Sequence, residues 1–537
     1  MATRKSQKKN QIANLLINIL VAVLSLAIFF ASAEWMIVKY FPEKVRTYFD
    51  DQTEIALGHP VPKKSPGETR IFVFGSSAAY GFPAADRYSI TAWLRKSFVH
   101  LLPTHTVRVI NCGWPGKSSH HVYEGARTVM KYQPDLFIIY SGHNEFTVSN
   151  RLYIDNWFYW LNFKLEYRSA LYRLLASRIA RIRKHLTYGS SGYPEKSYRE
   201  EVIANRVYKK IEVRDDEYQR ILKAYRKNME KVIRLAKRRK VQVLFVNLPS
   251  NVRDIPPAFS FHRPDLTAPE LVEWQIHYES AQKFYANGLY QQALDAYRRA
   301  AAIDDTYAEL AFQTAQTQEK LENFSAAKAD YIRARDLDGQ PWRAKSSLND
   351  TIREIAAKNH VLFADIVRAF EMLSPHGIVE GNLIHDNVHP SIKGQQLITD
   401  EILRTLCQHH FIAPADEWKW GDLDKARETH ASDEWTVEGA QNAYRYILRG
   451  LHLWEQGRYG GVIEDLEKGL ELMPEFVESY GFIADAYWNL GRKDKAREVY
   501  QAFQEKYPKV FEMLIHRYPN LEDSYKQSRG AFTDRPD

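Results

Sequence analysis

The fold is decided by the stretch Ile71-Phe72-Val73-Phe74-Gly75-Ser76-Ser77-Ala78-Ala79-Tyr80-Gly81. A short apolar run that ends at a glycine predicts a strand buried on both faces, as in parallel α/β sheets. Ligands of such sheets bind beyond the carboxyl ends of the strands. Ser77 is predicted to lie there, on a tight strand-to-helix turn, and is a candidate nucleophile.

Two simpler interpretations of this turn stay open at the level of the stretch itself. Ser76 or Ser77 could cap the helix that follows, because serine is a preferred N-cap residue. The glycines could instead cradle a phosphate, but neither G-x-G-x-x-G nor the Lys-Ser/Thr ending of a P-loop is present.

Four further apolar runs follow along the chain, with helix-like segments between them. The runs are 107–110, 136–140, 241–246 and 361–364, and the helix-like segments span about 87–101, 119–132, 216–238 and 343–358. Strands that alternate with helices predict an α/β fold with a doubly wound parallel sheet and helices on both faces.

A 34-residue period interrupts this pattern twice. The first pair of units matches Gly288, Tyr290, Ala293, Tyr297 and Ala300 to Glu322, Phe324, Ala327, Tyr331 and Ala334. The second pair matches Trp454, Gly457, Leu466 and Pro474 to Trp488, Gly491, Tyr500 and Pro508. The period and the small residues resemble the tetratricopeptide repeat, over roughly 275–340 and 440–510. Such repeats imply a protein partner in a concave groove, or else they only brace the rest of the chain.

The N-terminus carries a candidate membrane anchor. Residues 11–33 contain no charged side chain and follow four basic residues within 1–10. A span of this length can cross a bilayer as a helix, and the basic flank predicts a cytoplasmic N-terminus with the bulk of the chain outside. The alternative is a signal peptide cleaved after Ala33, because Ala31-Ser32-Ala33 has the small-x-small form of a cleavage site.

Charge and cysteine content exclude several classes of protein. The net charge of +8 is concentrated in residues 1–10 and in 161–186, so the rest of the chain is slightly acidic. This distribution suits a membrane surface and predicts no nucleic-acid partner. Two cysteines exclude a disulfide-dense scaffold.

The aromatic residues of 151–205 are interpreted first as packing on the sheet and second as contacts with a bilayer.

Four signals follow the predicted strands and point to one chemistry. Ser77 follows the first strand, Gly116 the second and Asn144 the third, while Asp386 and His389 follow the last. An Asp three residues before a His can orient the imidazole so that it accepts a proton from a hydroxyl. A nucleophile, a close backbone N–H, an amide donor and an oriented base are the groups that acyl transfer requires.

These motifs resemble those of the SGNH/GDSL hydrolase superfamily. The matching stretches are Gly75-Ser76-Ser77…Gly81, Asn111…Gly113…Gly116, Gly142-His143-Asn144-Glu145 and Asp386-Asn387-Val388-His389-Pro390. The resemblance implies a flavodoxin-like sheet and a catalytic triad of Ser77, His389 and Asp386. It also implies an oxyanion hole made by the N–H groups of Ser77 and Gly116 and the side chain of Asn144, with Gly113 as an alternative to Gly116. The chain departs from the family at Ser76, where an Asp is typical.

By this resemblance and the predicted N-terminal anchor, the chain is expected to be a membrane-anchored extracytoplasmic serine esterase that acts on an O-acylated glycan or another envelope ester, without a cofactor or metal. An acyltransferase that uses the same residues and a repeat scaffold with a vestigial hydrolase domain are the alternatives. A metallohydrolase built on His120, His121, His143, His385 and His389 is disfavoured because no H-E-x-x-H is present. Asn251 and Arg253 are candidate substrate contacts, with a simple turn as the competing interpretation.

The expected domain organisation follows from these assignments. It comprises a cytoplasmic N-terminus (1–10), an anchor (11–38), a tether (39–67), a hydrolase-like domain (68–265 and 341–410), inserted repeats (270–340), C-terminal repeats (438–510) and a tail (511–537).

Overall fold

The computed structural model describes residues 20–25, 28–41, 46–58, 61–82, 89–176, 216–428 and, with gaps, 443–530. The strands are β1 (Glu68–Gly75), β2 (Thr106–Gly113), β3 (Leu136–Tyr140), β4 (Gln242–Val246) and β5 (Leu362–Ala364). In chain order the helices are α1 (Leu20–Tyr40), α2 (Tyr48–Leu57), α3 (Ser77–Tyr80), α4 (Ile90–Leu101), α5 (Ser119–Val129), α6 (Val148–Asp155), α7 (Trp157–Arg168), α8 (Asp216–Arg238), α9 (Ala268–Ala286), α10 (Tyr290–Ile303), α11 (Ala308–Lys320), α12 (Phe324–Leu337), α13 (Ser346–Asn359), α14 (Ile366–Leu373), α15 (Ile392–Gln408), α16 (Leu423–Glu428), α17 (Tyr459–Leu472), α18 (Ser479–Asn489), α19 (Lys493–Lys506) and α20 (Pro519–Gly530).

The five strands form one parallel sheet in the order β2-β1-β3-β4-β5. This is the order of flavodoxin-like doubly wound folds, whose ligand sites lie where the strand order reverses, between β1 and β3. The predicted fold class is therefore confirmed. Gly75, the last residue of β1, pairs with Gly113 of β2 on one side and with Tyr140 of β3 on the other.

Two groups of helices cover the sheet. One group contains α4, α14, α15 and α16, and the other contains α2, α5, α8 and α13. The β1–α4–β2 connection runs across the sheet in the opposite direction to the later connections. Right-handed crossovers therefore place α4 and α5 on opposite faces, and the apolar strands between them form the main core.

The inserted repeats lie between β4 and α13 as two helical hairpins, α9–α10 and α11–α12. The turn of the first hairpin contains Gly288 at φ +73°, and the matching turn of the second contains Glu322 at φ +61°. The second turn thus keeps the left-handed backbone although glutamate replaces glycine there. Few residues other than glycine adopt this conformation readily.

The C-terminal repeats form a hydrophobic core of their own, drawn from residues 447–521. Their turns contain Gly457 and Gly491, again with positive φ. The prediction of a tail over 511–537 is wrong for α20, whose Leu521 is buried in this core beside Phe511 and Leu514. Spaced apolar side chains after Pro508 continue the helical packing, while residues 531–537 lie outside the described residues.

Among the described residues, α1 is the one helix long and apolar enough to cross a bilayer, and a signal sequence has the same properties. The basic N-terminus and residues up to 19 lie outside the described part of the chain. The C-terminal part of α1 contacts the chain beyond α7, because the Glu34 carboxylate accepts hydrogen bonds from Ser169 Oγ (2.9 Å) and the Leu171 N–H (3.0 Å).

The prediction of an irregular tether over 39–67 is wrong for α2. Thr47 and Asp50 form a capping box at its start, and Phe49 is buried against Phe74 and Trp114. The prolines that disfavour a regular element lie at 60–66, beyond the end of this helix.

The aromatic residues around α7 divide into two sets. Phe163 and Tyr167 are buried against the core, in agreement with the packing interpretation. Four aromatic side chains in the first turn of α7 are exposed: Trp157, Phe158, Tyr159 and Trp160. The basic segment that extends to residue 186 lies outside the described residues from 177 onward.

Candidate active site

The turn after β1 leaves no room for a side chain at Gly75. A Cβ there would lie 2.2 Å from the Tyr140 carbonyl oxygen and 2.4 Å from the Cβ of Ala79, so glycine lets β1 and α3 approach closely. Ser76 occupies the N-cap position of α3, but its side chain makes no capping hydrogen bond. The capping interpretation is therefore wrong for Ser76, and Ser77 begins the helix.

Ser77, His389 and Asp386 form a continuous hydrogen-bonded chain. Ser77 Oγ lies 2.7 Å from His389 Nε2, and His389 Nδ1 lies 2.6 Å from Asp386 Oδ2. All three side chains are buried, and the Phe82 ring covers the imidazole at 4.8 Å between ring centroids. In this arrangement a carboxylate orients an imidazole whose far nitrogen can take a proton from a hydroxyl.

The loop that carries Asp386 and His389 is closed on itself. Ile384 and Pro390 form an antiparallel bridge, and Asp386 Oδ1 accepts the N–H groups of Val388 and His389 at 2.8 Å each. Burial alone would raise the pKa of Asp386. The imidazole of His389 and the backbone N–H of the same residue nevertheless hold that pKa below its ordinary value. Asp386 is therefore ionised wherever the protein is folded near neutral pH.

Of the two glycines considered for an oxyanion hole, Gly113 is already engaged. Its N–H donates to Asn111 Oδ1 at 2.9 Å, and a Cβ there would lie 2.5 Å from the Tyr80 nitrogen. Gly116 lies three residues further, in a turn at φ +74°, with no atom within 4 Å of a Cβ position. Because β2 pairs with β1 up to Gly75, this turn flanks Ser77 on the β2 side.

Asn144 flanks Ser77 on the other side, four residues after the end of β3. Its backbone carbonyl accepts a hydrogen bond from Thr147 Oγ1 at 3.0 Å, which fixes the turn. Its side-chain Nδ2 is buried and finds no hydrogen-bond partner among the described residues. A buried donor without a partner costs about 1–3 kcal/mol, so an acceptor is expected beside it during function.

Glu145 anchors this turn to the start of α5. Its carboxylate accepts the N–H and the hydroxyl of Ser119, both at 2.7 Å, and Asn228 Nδ2 donates to the same hydroxyl at 3.1 Å. Burial raises the pKa of Glu145 to about 7, against the opposing effect of the Ser119 hydrogen bonds. Sequence reasoning quoted Glu145 only as part of a motif and missed its positioning role.

His143 was also missed as a positioning residue. Its Nδ1 accepts the Ala344 N–H at 3.2 Å, so the ring proton resides on Nε2, which has no partner among the described residues. Burial, and then the nearby His389, lower the pKa of His143 to about 3, so this ring is neutral. Ala344 is 201 residues away in sequence, and no local signal could have revealed the contact.

The remaining histidines divide between the core and the site. His120 and His121 pack among Tyr153 and Phe163, and burial lowers the pKa of both rings. Over the described ranges, one group of side chains has ligand atoms close enough for a metal ion, within 4.8 Å: His385, Asp386 and His389. Both nitrogens of His389 are already hydrogen-bonded to Ser77 and Asp386, so a metal there would have to break that chain.

Asn251 and Arg253, the candidate substrate contacts, have other roles in the structure. The Asn251 amide is fully buried and donates to the Ile384 carbonyl at 3.1 Å. Arg253 forms ion pairs with Glu319 and Glu380. Their polar groups are thus engaged within the chain, and substrate contact by these two residues stays a prediction.

Comparison with known proteins gave one family match and several structural neighbours. Residues 453–513 match the family model "Tetratricopeptide repeat", and no curated protein matches the sequence. Similar solved structures include a GDSL-like lipase from Bacteroides thetaiotaomicron (12% identity, 68% of this chain and 100% of that one, TM-score 0.30). Another is a lipase/acylhydrolase from Enterococcus faecalis (12% identity, 63% of this chain and 95% of that one, TM-score 0.29). A third is an acetylxylan esterase from Geobacillus stearothermophilus (13% identity, 63% of this chain and 94% of that one, TM-score 0.29).

These neighbours are of the kind that the sequence motifs resemble. At such identities and TM-scores the likeness carries no weight for function. The fold assignment rests on the strand order, and the site rests on its own hydrogen bonds.

Proposed function

We propose that the chain is a serine ester hydrolase that cleaves an O-acyl ester through an acyl-enzyme on Ser77. The observation that carries this proposal is the chain of hydrogen bonds from Ser77 Oγ through His389 to Asp386, at 2.7 and 2.6 Å. A buried triad of this kind, at the switch point of a doubly wound sheet, is the arrangement that activates a serine hydroxyl.

In the first half-reaction, Ser77 Oγ attacks the ester carbonyl carbon while His389 Nε2 takes the hydroxyl proton. The carbonyl oxygen becomes an oxyanion, and the donors assigned to it are the N–H of Ser77, the N–H of Gly116 and Nδ2 of Asn144. The Ser77 N–H is in the first turn of α3, where it has no intrahelical acceptor. The carbon–oxygen bond to the alcohol then breaks, and His389 protonates the leaving alkoxide.

In the second half-reaction, His389 takes a proton from water as the water oxygen attacks the acyl carbon. The bond from that carbon to Ser77 Oγ then breaks, His389 returns the proton to Oγ, and the carboxylic acid leaves. If a sugar hydroxyl replaces water, the same steps transfer the acyl group instead. Titration of a hydroxyl acceptor against hydrolysis distinguishes the two outcomes, because a transferase forms the new ester at the expense of free acid.

The proposed location is the outer face of a membrane, with α1 as the anchor and an acylated glycan or another envelope molecule as substrate. The apolar helix near the N-terminus and the basic residues before it support this placement.

The two repeat regions are proposed to bind a protein partner. The inserted pair has a groove of about 210 Å³ between α10, α11 and α12, with Arg298 and Arg333 on its wall beside Asp305 and Asp330.

The test is covalent labelling of the full chain in detergent with a fluorophosphonate, located by peptide mass spectrometry. Label on Ser77 in the wild type and none in Ser77→Ala is the expected result. Asn144→Ala is expected to lower ester turnover by about 10²–10³-fold, the usual effect of losing one oxyanion donor, while the chain stays folded. A folded wild-type chain without label on Ser77, or full turnover in Asn144→Ala, would contradict the proposal.

A further inference from the structure

We propose that Arg253 is a positioning residue for the reaction, because it joins the inserted repeats to the loop that carries the base. That loop, residues 378–390, is called the His389 loop below. The inference rests on the proposed function, in which His389 must stay within reach of Ser77. The repeats would then be part of the machinery that holds the base, in addition to any partner that they bind.

Arg253 bridges two carboxylates that belong to different parts of the molecule. Its Nε and Nη2 donate to Glu319 Oε1 of α11 at 2.9 and 2.6 Å, and its Nη1 donates to Glu380 Oε2 of the His389 loop. Tyr331 Oη of α12 donates to the other oxygen of Glu319 at 2.8 Å. The planar guanidinium has the fork geometry that two such contacts need.

The two carboxylates are largely withdrawn from water, with the Glu319 side chain 19% exposed and the Glu380 side chain 16% exposed. Without a cation between them, two partly buried like charges would repel each other. Arg253 therefore turns an unfavourable approach of α11 to the His389 loop into an attractive one.

A shared hydrophobic core lies beneath this ion-pair bridge. Val252 and Ile378, which flank the bridge in sequence, are buried together with side chains of the second inserted hairpin: Ala311, Phe312, Ala315, Ala327, Tyr331 and Ala334. This hairpin therefore completes its core with residues of the hydrolase part, and it is not a module attached by its ends alone.

The backbone next to Arg253 continues the connection to the triad. The Val252 N–H donates to the Val379 carbonyl at 3.1 Å. Asn251 reaches further along the loop, since its N–H donates to the Asn387 carbonyl at 3.2 Å and its side chain donates to Ile384. Asn387 lies between Asp386 and His389, so residues 251–253 form a direct path from α11 to the base.

A second contact supports the same attachment from α12. Lys328 Nζ forms an ion pair with Glu371 at 2.8 Å, and the Phe324 ring stacks on the His376 ring just before the His389 loop. Helices α11 and α12 thus hold both ends of the segment that leads into the loop.

Loss of the bridge is expected to move the base and leave the substrate pocket in place. A displacement of a catalytic group by about 1 Å can cost about 10²-fold in rate. The effect should therefore appear in kcat and in the rate of Ser77 acylation, with KM unchanged. Loss of a residue that only stabilises the fold would not lower kcat while KM stays unchanged.

The experiment compares Arg253→Met with Arg263→Met in the full chain in detergent. Arg263 also pairs with two carboxylates, those of Asp265 and Glu270, near the start of α9 and away from the His389 loop, so it is a matched control. For Arg253→Met we expect fluorophosphonate labelling of Ser77 and kcat on p-nitrophenyl acetate to fall by about 10–100-fold. Arg263→Met should leave both within about twofold of the wild type, because its carboxylate partners are exposed.

Hydrogen exchange of the amides in 378–390 gives a readout that does not depend on activity. We expect faster exchange there in Arg253→Met and in the milder variant Glu380→Gln, and no change in Arg263→Met. Arg253→Lys should restore part of the labelling rate, because an ammonium supplies the charge without the fork.

The outcomes separate the two proposals. A wild-type chain that takes no label on Ser77 overturns the proposed function, and the bridge is then judged by hydrogen exchange alone. A labelled wild type with equal labelling and equal exchange in Arg253→Met overturns the bridge and leaves the proposed function standing. If Arg253→Met does not fold, Glu380→Gln decides: unchanged exchange and kcat in that variant overturn the bridge.

Discussion

The two repeat regions are built from the same 34-residue unit but attach to the molecule in different ways. The inserted pair shares a core with Val252 and Ile378 of the part that contains the sheet, whereas the C-terminal pair buries its apolar side chains within residues 447–521. Stacked repeats depend mainly on their neighbours for stability. The inserted pair has the part that contains the sheet as one of those neighbours. The same motif is therefore a structural support in the inserted pair, and it has a core of its own in the C-terminal pair.

Removal of each region in turn is expected to have the largest effect. Truncation of residues 438–537 is expected to leave fluorophosphonate labelling of Ser77 within about twofold, because independent units contribute additively. Excision of residues 268–337 is expected to abolish labelling, since the His389 loop loses the surface on which it packs. Labelling and circular dichroism of both deletion variants check this. Lost labelling in the folded C-terminal truncation would show that the appended pair also supports the site.

Paired core substitutions test the same difference with single side chains. Tyr331 and Tyr500 are both buried, one in each region. Replacing a large buried aromatic with alanine costs about 3–5 kcal/mol, so Tyr331→Ala and Tyr500→Ala should destabilise their own regions to a similar extent. Urea unfolding followed by hydrogen exchange measures this. Only Tyr331→Ala should slow Ser77 labelling, and equal slowing by both would remove the distinction.

A smaller effect is expected from the titration of Glu145, and it should be confined to the unit that contains the sheet. The pKa of Glu145 is raised from 4.5 to about 7 by burial. A raised carboxyl pKa favours the folded state below the unfolded value, and that stability is lost as pH rises through 7. The free energy of unfolding is expected to fall by about 3 kcal/mol over this range, at about 1.36 kcal/mol per unit of pKa difference.

The matching variant is Glu145→Gln, which keeps an acceptor for Ser119 without the charge. Between pH 4.5 and 7 the wild-type sheet unit should lose stability, and this slope should be flatter in the variant. The unfolding of the C-terminal repeats should be the same in both proteins. A slope that is unchanged in Glu145→Gln would assign the pH dependence to another group.

Sequence predicts best what depends on neighbouring residues. The five strands were evident as apolar runs, and the Asp386-x-x-His389 spacing already allowed the hydrogen bond that the structure shows. The other contacts around the candidate site join residues that are far apart in the sequence. Arg253 meets partners 66 and 127 residues away, and nothing near it distinguishes such a residue from a solvated turn. Helix α2 was missed because the prolines beyond it dominated the interpretation of the whole segment.

The separation of Ser77 from His389 has a consequence for the order of events during synthesis. The two side chains lie 312 residues apart, and at about 5–20 residues per second the ribosome needs roughly 16–60 s to make the intervening chain. The inserted repeats lie within that interval. They are therefore complete before His389 exists, and Ser77, the proposed nucleophile, stays without its proposed base until the supporting hairpins have been made.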